Sequence, residues 1–178
     1  MLILLTGPVG GGKSTTAVSV ARELRARGRR AAVIDLDTIY PMAQQDEPIY
    51  SDIPTWQTTY RAAGAIASSF FESAIEDVVV EGGFFNDEEL NWFRAGLRPE
   101  RSITIVALEV SWDGTRRRVE ADPAEDRVAT RNVDILKWHH DRFTDALPFL
   151  HQNAIVINGE SGTADDVAQQ IVETLESD

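Results

Sequence analysis

The sequence predicts an α/β fold in which helices cover both faces of a parallel sheet. Short apolar runs alternate with segments of helical periodicity along the 178 residues. The runs are apolar throughout rather than at alternate positions, which is typical of strands buried on both faces. A glycine-rich stretch separates the first run from the first helical segment. The length is that of one domain, so we expect a single domain over residues 1–178.

The glycine-rich stretch, Gly7-Pro8-Val9-Gly10-Gly11-Gly12-Lys13-Ser14, matches the phosphate-binding pattern G-x-x-x-x-G-K-S/T at every required position. Residues 2–5 ahead of it form an apolar run, which predicts a buried strand. Residues 15–27 after it predict a helix, and Gly28 stands where a C-terminal cap belongs. Strand, loop and helix are the context that the motif requires.

This context predicts a site for a nucleoside triphosphate and Mg²⁺. Backbone N–H groups of the loop and the helix N-terminus favour phosphate. We expect Lys13 to bind the β- and γ-phosphates, Ser14 to bind Mg²⁺, and Thr15 to contact the α-phosphate. The predicted nucleotide-binding residues in this stretch are Gly7, Gly10, Gly11, Gly12, Lys13, Ser14 and Thr15. The alternative is an ordinary turn with a solvated lysine.

The rest of the chain continues the alternation. Four more apolar runs predict strands at residues 31–34, 78–80, 103–110 and 154–157. Apolar residues three or four apart predict helices at residues 55–76, 86–97 and 133–147 and after Thr163, the third of them ending near Pro148. Residues 38–54 contain three prolines and predict a long irregular loop.

Carboxylates follow two of the predicted strands. Parallel strands end at the same sheet edge as the phosphate-binding loop, so Asp35, Asp37 and Glu81 should meet there. Residues two apart on a strand point the same way, which would turn both aspartates toward the γ-phosphate. We expect Asp37 to be the base for an acceptor hydroxyl, and Asp35 to hold a Mg²⁺ water. Glu81 would hold a Mg²⁺ water or the substrate, and Gly82 would allow close backbone approach to it. Alternatively, one aspartate caps the next turn and Glu81 is an ordinary strand-end carboxylate.

An arginine-rich segment at about residues 112–132 predicts a helix–loop–helix lid. Guanidinium groups bind phosphate oxygens in a bidentate manner, and a closed lid excludes water. Arg118 is the candidate nucleotide contact, whereas Arg127 and Arg131 are candidate catalytic residues. The alternative is a solvated basic helix whose arginines pair with nearby acids, namely Glu120, Asp122, Glu125 and Asp126.

Two residues near the start of the helix predicted at residues 55–76 are candidates for substrate binding. Arg61 could hold an acceptor by charge and Trp56 by stacking. They could equally be a surface residue and a core residue. His139 and His140 lack a third metal ligand at suitable spacing, so we expect one in the core and one exposed.

Composition limits the partners. The formal net charge of −12 argues against nucleic acid and anionic membranes and favours a small-molecule acceptor. No cysteine is present, and no apolar run has the length of a membrane span. The first apolar run is too short for a signal peptide, so a cytoplasmic location is expected. We expect a monomer or a homodimer.

Together, the phosphate-binding loop, the Asp-x-Asp strand end and the arginine segment resemble the small P-loop kinases. The resemblance is greatest to the nucleoside-monophosphate-kinase-like group, which includes shikimate kinase, gluconate kinase, chloramphenicol phosphotransferase and the zeta-toxin kinases. It implies five strands in the order 2-3-1-4-5, with ATP and Mg²⁺ as ligands. It also implies that Asp37 faces the acceptor hydroxyl and that Arg127 or Arg131 is a lid arginine.

The resulting functional prediction is an ATP-dependent phosphotransferase that moves the γ-phosphoryl group to a hydroxyl of a small molecule. An alcohol, a sugar, a nucleoside or an antibiotic would suit. One alternative is a nucleotide-dependent regulatory ATPase or switch, and another is a zeta-toxin-like nucleotide-sugar kinase. A GTPase is disfavoured because the guanine-reading tetrapeptide Asn-Lys-x-Asp does not occur.

Overall fold

Five parallel strands form one sheet, and their order, 2-3-1-4-5, is the one that the resemblance to the small P-loop kinases implies. The structure is a computed structural model that describes residues 1–43, 53–122 and 132–177. The strands are β1 (Leu2–Thr6), β2 (Ala31–Asp35), β3 (Asp77–Glu81), β4 (Thr104–Glu109) and β5 (Ile155–Asn158). In the register of the central strand, Leu4 lies beside Val80 of β3 and Ile105 of β4.

Helices pack on both faces of this sheet. In the described part of the chain they are α1 (Lys13–Ala26), α2 (Leu36–Ala43), α3 (Ile53–Glu72), α4 (Asp87–Gly96), α5 (Trp112–Ala121), α6 (Val133–Asn153) and α7 (Ala164–Ser177). None of these described helices combines the length and the apolar character needed to cross a membrane.

The two faces of β1 bury alternate side chains in two separate cores. Leu2 and Leu4 join the core that includes residues of α3 and α4, whereas Ile3 and Leu5 join the core that includes residues of α1 and α7. All four side chains are almost fully buried. Each stabilises the fold by about 1.5–3 kcal/mol relative to an exposed position. Burial on both sides explains why the strand is apolar throughout residues 2–5.

The predicted helix ends at three places are confirmed by their hydrogen bonds. Gly28 has φ +81° and donates to Arg25 O at 3.0 Å, which closes α1. The Asn86 side chain accepts from the Glu89 N–H at 2.9 Å, which begins α4. Thr163 Oγ1 accepts from the Asp166 N–H at 3.3 Å at the start of α7.

Two predicted boundaries are wrong. Residues 36–43 are helical rather than irregular, because Ile39 and Tyr40 are buried there. The rest of that predicted loop, residues 44–52, lies outside the described residues. Helix α6 continues through Pro148 to Asn153, although proline removes one helix hydrogen bond. Leu150 is buried in the core that includes Ala107 of β4, and this burial offsets the free energy lost with the missing hydrogen bond.

Candidate active site

The phosphate-binding loop is a preformed turn between β1 and α1. The Gly11 N–H donates to Pro8 O at 3.0 Å, and Lys13 Nζ donates to the same carbonyl at 3.1 Å. Gly10 and Gly12 adopt φ +75° and +88°, which residues with a side chain rarely adopt. The loop therefore has the backbone that its motif predicts, and Lys13 lies folded over it.

Arg118 connects the phosphate-binding loop to two other elements. Its Nη1 donates to Gly11 O at 2.5 Å, and its Nη2 donates to Gly159 O at 2.5 Å, in the loop after β5. Helix α5 lies so close to the loop that a Cβ at Gly10 would be 2.6 Å from Val119 Cγ2. The predicted nucleotide contact thus lies beside the phosphate site, and its charged group is half-buried.

Glu160 fixes the first turn of α5. Its Oε2 accepts from the Ser111 N–H at 3.0 Å, and its Oε1 lies 3.3 Å from Arg117 Nη2. The hydrogen bond from the Ser111 N–H is the main reason that the pKa of Glu160 lies below its usual value. A carboxylate from the β5 loop therefore anchors the base of the arginine-rich segment.

Glu81 is a buried carboxyl at the sheet edge. It is 2% exposed, and its Oε1 has no hydrogen-bond partner among the described residues. Its pKa is raised to about 7, mainly by burial and in smaller part by the charges of Asp35 and Asp37. The charge of Lys13 and a hydrogen bond from Ser14 act in the opposite direction. The pKa of Glu81 therefore depends on the phosphate-binding loop and on the residues at and after the end of β2, which meet at one edge of the sheet.

The two aspartates do not share a strand. Strand β2 ends at Asp35, and Asp37 lies in the first turn of α2, so the expected two-residue strand alternation does not apply. Asp35 Oδ1 accepts from the Asp37 N–H at 2.7 Å, and Oδ2 accepts from Thr38 Oγ1 at 3.2 Å. Asp35 thus caps α2, which is the alternative role expected for one of the pair.

The donor set fits Mg²⁺ held together with a nucleotide. Among the described residues, no three His, Cys, Asp or Glu side chains are grouped as a metal cage. Mg²⁺ in phosphate sites keeps several waters and takes few protein ligands. The Ser14 hydroxyl and the partnerless Glu81 Oε1 supply oxygen ligands of that kind. Their roles, and that of Asp35, stay predictions.

Three other predicted residues have clear positions. Trp56 packs against Tyr40, with ring centroids 4.2 Å apart, at the border of one core. Arg61 has an exposed side chain on α3. Thr15 is exposed and lines an open groove between α1 and the start of α7. Arg127 and Arg131 lie outside the described residues.

Gly82 has a packing reason to be glycine. A Cβ at this position would overlap Leu36 Cδ1, at the start of α2. The next residues are also held: Gly83 O accepts from the Tyr60 hydroxyl, and the Phe84 N–H donates to Thr6 Oγ1 at 3.0 Å. The loop after β3 is therefore fixed in place beside Glu81, while the contact of Gly82 with substrate stays a prediction.

Sequence reasoning missed a second polar cluster next to this loop. Glu89 is 3% exposed, forms an ion pair with Arg142 of α6, and accepts from the Phe85 N–H at 2.6 Å. His139 is half-buried on the same helix, whereas His140 is buried and bonds to Val110 O as a core residue. In the sequence, Glu89 indicates only a helix cap together with Asn86. Its partner is 53 residues away, which no local pattern indicates.

Comparison with known proteins agrees with this architecture. The chain matches the family described as "AAA domain" (AAA_33) over residues 2–145. A sugar kinase from Janibacter sp. HTCC2649 is similar, with 14% identity, a TM-score of 0.69, and 98% of this chain and 94% of that chain covered. None of the curated proteins compared by sequence matches the chain.

Two shikimate kinases are also similar in fold. The enzyme from Acinetobacter baumannii, in complex with shikimate, has 19% identity and a TM-score of 0.64, with 99% of this chain and 93% of that chain covered. The enzyme from Bacteroides thetaiotaomicron has 22% identity and a TM-score of 0.68, with 99% and 98% covered. The chain therefore belongs to the AAA domain family, and its fold is that of a small P-loop kinase.

Proposed function

We propose that this protein is an ATP-dependent phosphotransferase that moves the γ-phosphoryl group of ATP to a hydroxyl of a small molecule. The observation that carries the proposal is the meeting of Lys13, Asp35, Asp37 and Glu81 at one sheet edge, where all three others shift the pKa of Glu81. Phosphoryl transfer needs a cation that binds the phosphates. It also needs carboxylates that accept a proton and hold a metal ion.

In the proposed reaction, the acceptor oxygen attacks the γ-phosphorus while the bond to the β–γ bridging oxygen breaks. ADP leaves, and the acceptor proton passes to the Asp37 carboxylate. Lys13 and the loop N–H groups hold the β- and γ-phosphates, and Arg118 reaches the nucleotide from α5. Bound Mg²⁺, on Ser14 and on waters of Asp35 or Glu81, would neutralise phosphate charge. Arg127 and Arg131 are proposed to act from the lid, with Trp56, Arg61 and Gly82 near the acceptor.

The proposed partner is a small acceptor rather than a polymer. The acidic net charge of −12 disfavours nucleic acid and anionic membranes, since both would be repelled. A cytoplasmic monomer or homodimer is proposed on the same general grounds.

A screen tests the proposed function. Pooled alcohols, sugars, nucleosides and antibiotics are incubated with ATP and Mg²⁺, and both ADP release and product mass are followed. We expect one acceptor to gain a phosphoryl mass, and Lys13→Ala to lose at least about 100-fold of that rate. ADP release that no acceptor increases would instead support a regulatory ATPase. Transfer confined to nucleotide sugars would support the toxin-like kinase.

A further inference from the structure

The loop after β5, residues 158–161, is held in place against the end of β4. The Gly159 N–H donates to Glu109 O at 2.9 Å, and Gly159 itself is buried. Within the loop, the Glu160 N–H donates to Asn158 Oδ1 at 2.9 Å. The loop therefore presents two acceptors from fixed backbone positions: the carbonyl of Gly159 and the carboxylate of Glu160.

Helix α5 contacts this loop at two points along its length. At its first turn, the Ser111 N–H donates to Glu160 Oε2 at 3.0 Å. Two turns later, Arg118 Nη2 donates to Gly159 O, while its Nη1 donates to Gly11 O of the phosphate-binding loop. A helix held at one point can pivot, whereas two contacts about 10 Å apart along its axis fix its direction. The contact at the first turn therefore helps to determine where α5 places the guanidinium of Arg118.

The first turn of α5 has room for the carboxylate only because Gly114 lacks a side chain. A Cβ at Gly114 would overlap Glu160 Oε1. The Ser111 side chain accepts from the Gly114 N–H at 3.0 Å, which leaves the Ser111 N–H for Glu160. The carboxylate also lies at the positive end of the helix dipole, where negative charge is favoured. Its ion pair with Arg117 is exposed and adds little, so the backbone hydrogen bond is the contact that holds α5.

We propose that Glu160 is a positioning residue for nucleotide binding, which acts by fixing α5 so that Arg118 lies at the phosphate-binding loop. This inference rests on the proposed function, in which Arg118 contacts the nucleotide. Glu160 acts through Arg118 rather than by a contact of its own, because a carboxylate repels the phosphates of ATP. Loss of Glu160 should therefore lower nucleotide affinity only while Arg118 is present.

Calorimetric titration with a non-hydrolysable ATP analogue and Mg²⁺ tests this role. We expect Glu160→Ala to raise the dissociation constant about fivefold or more. The control Glu120→Ala removes a different acid that pairs with an arginine of α5, Arg116, and should change the constant less than about twofold. Unchanged affinity in Glu160→Ala would overturn this inference alone. Absence of binding by the wild type would overturn the proposed function, and this inference with it.

A double-mutant cycle separates a positioning role from a structural one. Arg118→Lys is measured alone and in combination with Glu160→Ala. Because Glu160 acts through Arg118, its loss should change the dissociation constant less than about twofold once Arg118 is replaced. A merely structural role would weaken binding by the same factor in both backgrounds, and that result would overturn the assignment.

Gly114→Ala is an independent variant, which also serves if Glu160→Ala does not fold, as checked by circular dichroism. It keeps the charge of Glu160 but displaces the carboxylate from the first turn of α5. We expect the dissociation constant to rise about fivefold, although alanine is the better helix former. Where Glu160→Ala folds, adding Gly114→Ala to it should have no further effect, since the overlapping carboxylate is gone. Wild-type affinity in Gly114→Ala would contradict the inference.

Discussion

Burial controls the chemistry of Glu81, the carboxyl at the end of β3. The folded protein raises its pKa from 4.5 to about 7, mainly because the carboxylate is removed from water. Below pH 4.5 the group is protonated in both the folded and the unfolded states. Between pH 4.5 and 7 only the folded state keeps the proton, so stability falls as the pH rises through this window.

Glu81→Gln removes that pH dependence. We expect the variant to gain stability relative to the wild type as the pH rises from about 4.5 to 7, by roughly 3 kcal/mol at most. Urea denaturation of the nucleotide-free proteins at several pH values measures the difference. The exposed control Glu100→Gln should follow the wild type. A constant difference between Glu81→Gln and wild type across this range would show that Glu81 has an ordinary pKa.

The residues of the phosphate-binding loop were predictable because one local stretch carries the whole motif. The relation between Asp35 and Asp37 was not, since it depends on where β2 stops and α2 begins. Capping of α2 by Asp35 ends the strand alternation on which the expectation was based. The Glu89–Arg142 ion pair was missed for another reason: it joins two helices that only the tertiary fold brings together.

At the scale of elements, α5 is connected to the phosphate-binding loop through the two carbonyls that Arg118 contacts. One planar guanidinium can donate to both at once, whereas a lysine ammonium on a flexible stem cannot reproduce that fork. The position of α5 over the loop therefore depends on this side chain. The arginine-rich segment predicted a helix here and a nucleotide contact for Arg118, but it did not indicate that Arg118 contacts these two carbonyls.

Arg118→Lys should weaken nucleotide binding. We expect the dissociation constant of a non-hydrolysable ATP analogue to rise about tenfold or more, because the two-carbonyl contact is lost. Calorimetric titration in the presence of Mg²⁺ provides the measurement. Arg116→Lys is the matched control, since Arg116 forms an exposed ion pair with Glu120 on the same helix. Equal affinities for both variants would argue against a role of Arg118 at the nucleotide.

Helices α3 and α4 approach closely because glycines face each other at their contact. A Cβ at Gly64 would overlap Phe93 O, and a Cβ at Gly96 would overlap Arg61 O. This packing positions both Tyr60 and Glu89, which bond to the loop after β3 at Gly83 and Phe85. From sequence alone, a glycine inside a helix indicates only a low helix propensity, whereas the close contact between these helices appears only in the fold.

Gly64→Ala should therefore destabilise the protein despite the better helix propensity of alanine. Overpacking costs about 1–3 kcal/mol, and the propensity gain returns at most about 1 kcal/mol. The midpoint of urea denaturation should fall accordingly. Ser69→Ala, at an exposed position of the same helix, should change stability by no more than about 0.5 kcal/mol. A variant Gly64→Ala as stable as wild type would mean that the helices can separate without cost.

For the whole molecule, the sequence was sufficient to predict the sheet, because each of the five strands contains a short apolar run. The strand order came from a resemblance, and the topology confirms it. The same order brings the phosphate-binding loop and the ends of β2 and β3 to one edge. The identity of the proposed acceptor did not follow, since no local pattern in the sequence specifies it.

The destination of the γ-phosphoryl group tests the central claim most directly. γ-Labelled ATP is mixed with excess enzyme, Mg²⁺ and pooled hydroxyl compounds, and the label is followed through a single turnover. We predict that wild type places the label on an organic acceptor, and that Asp37→Asn slows this transfer by at least about 100-fold while still binding ATP. Label appearing only in inorganic phosphate, at a rate that neither the acceptors nor Asp37→Asn alters, would contradict the assignment as a kinase.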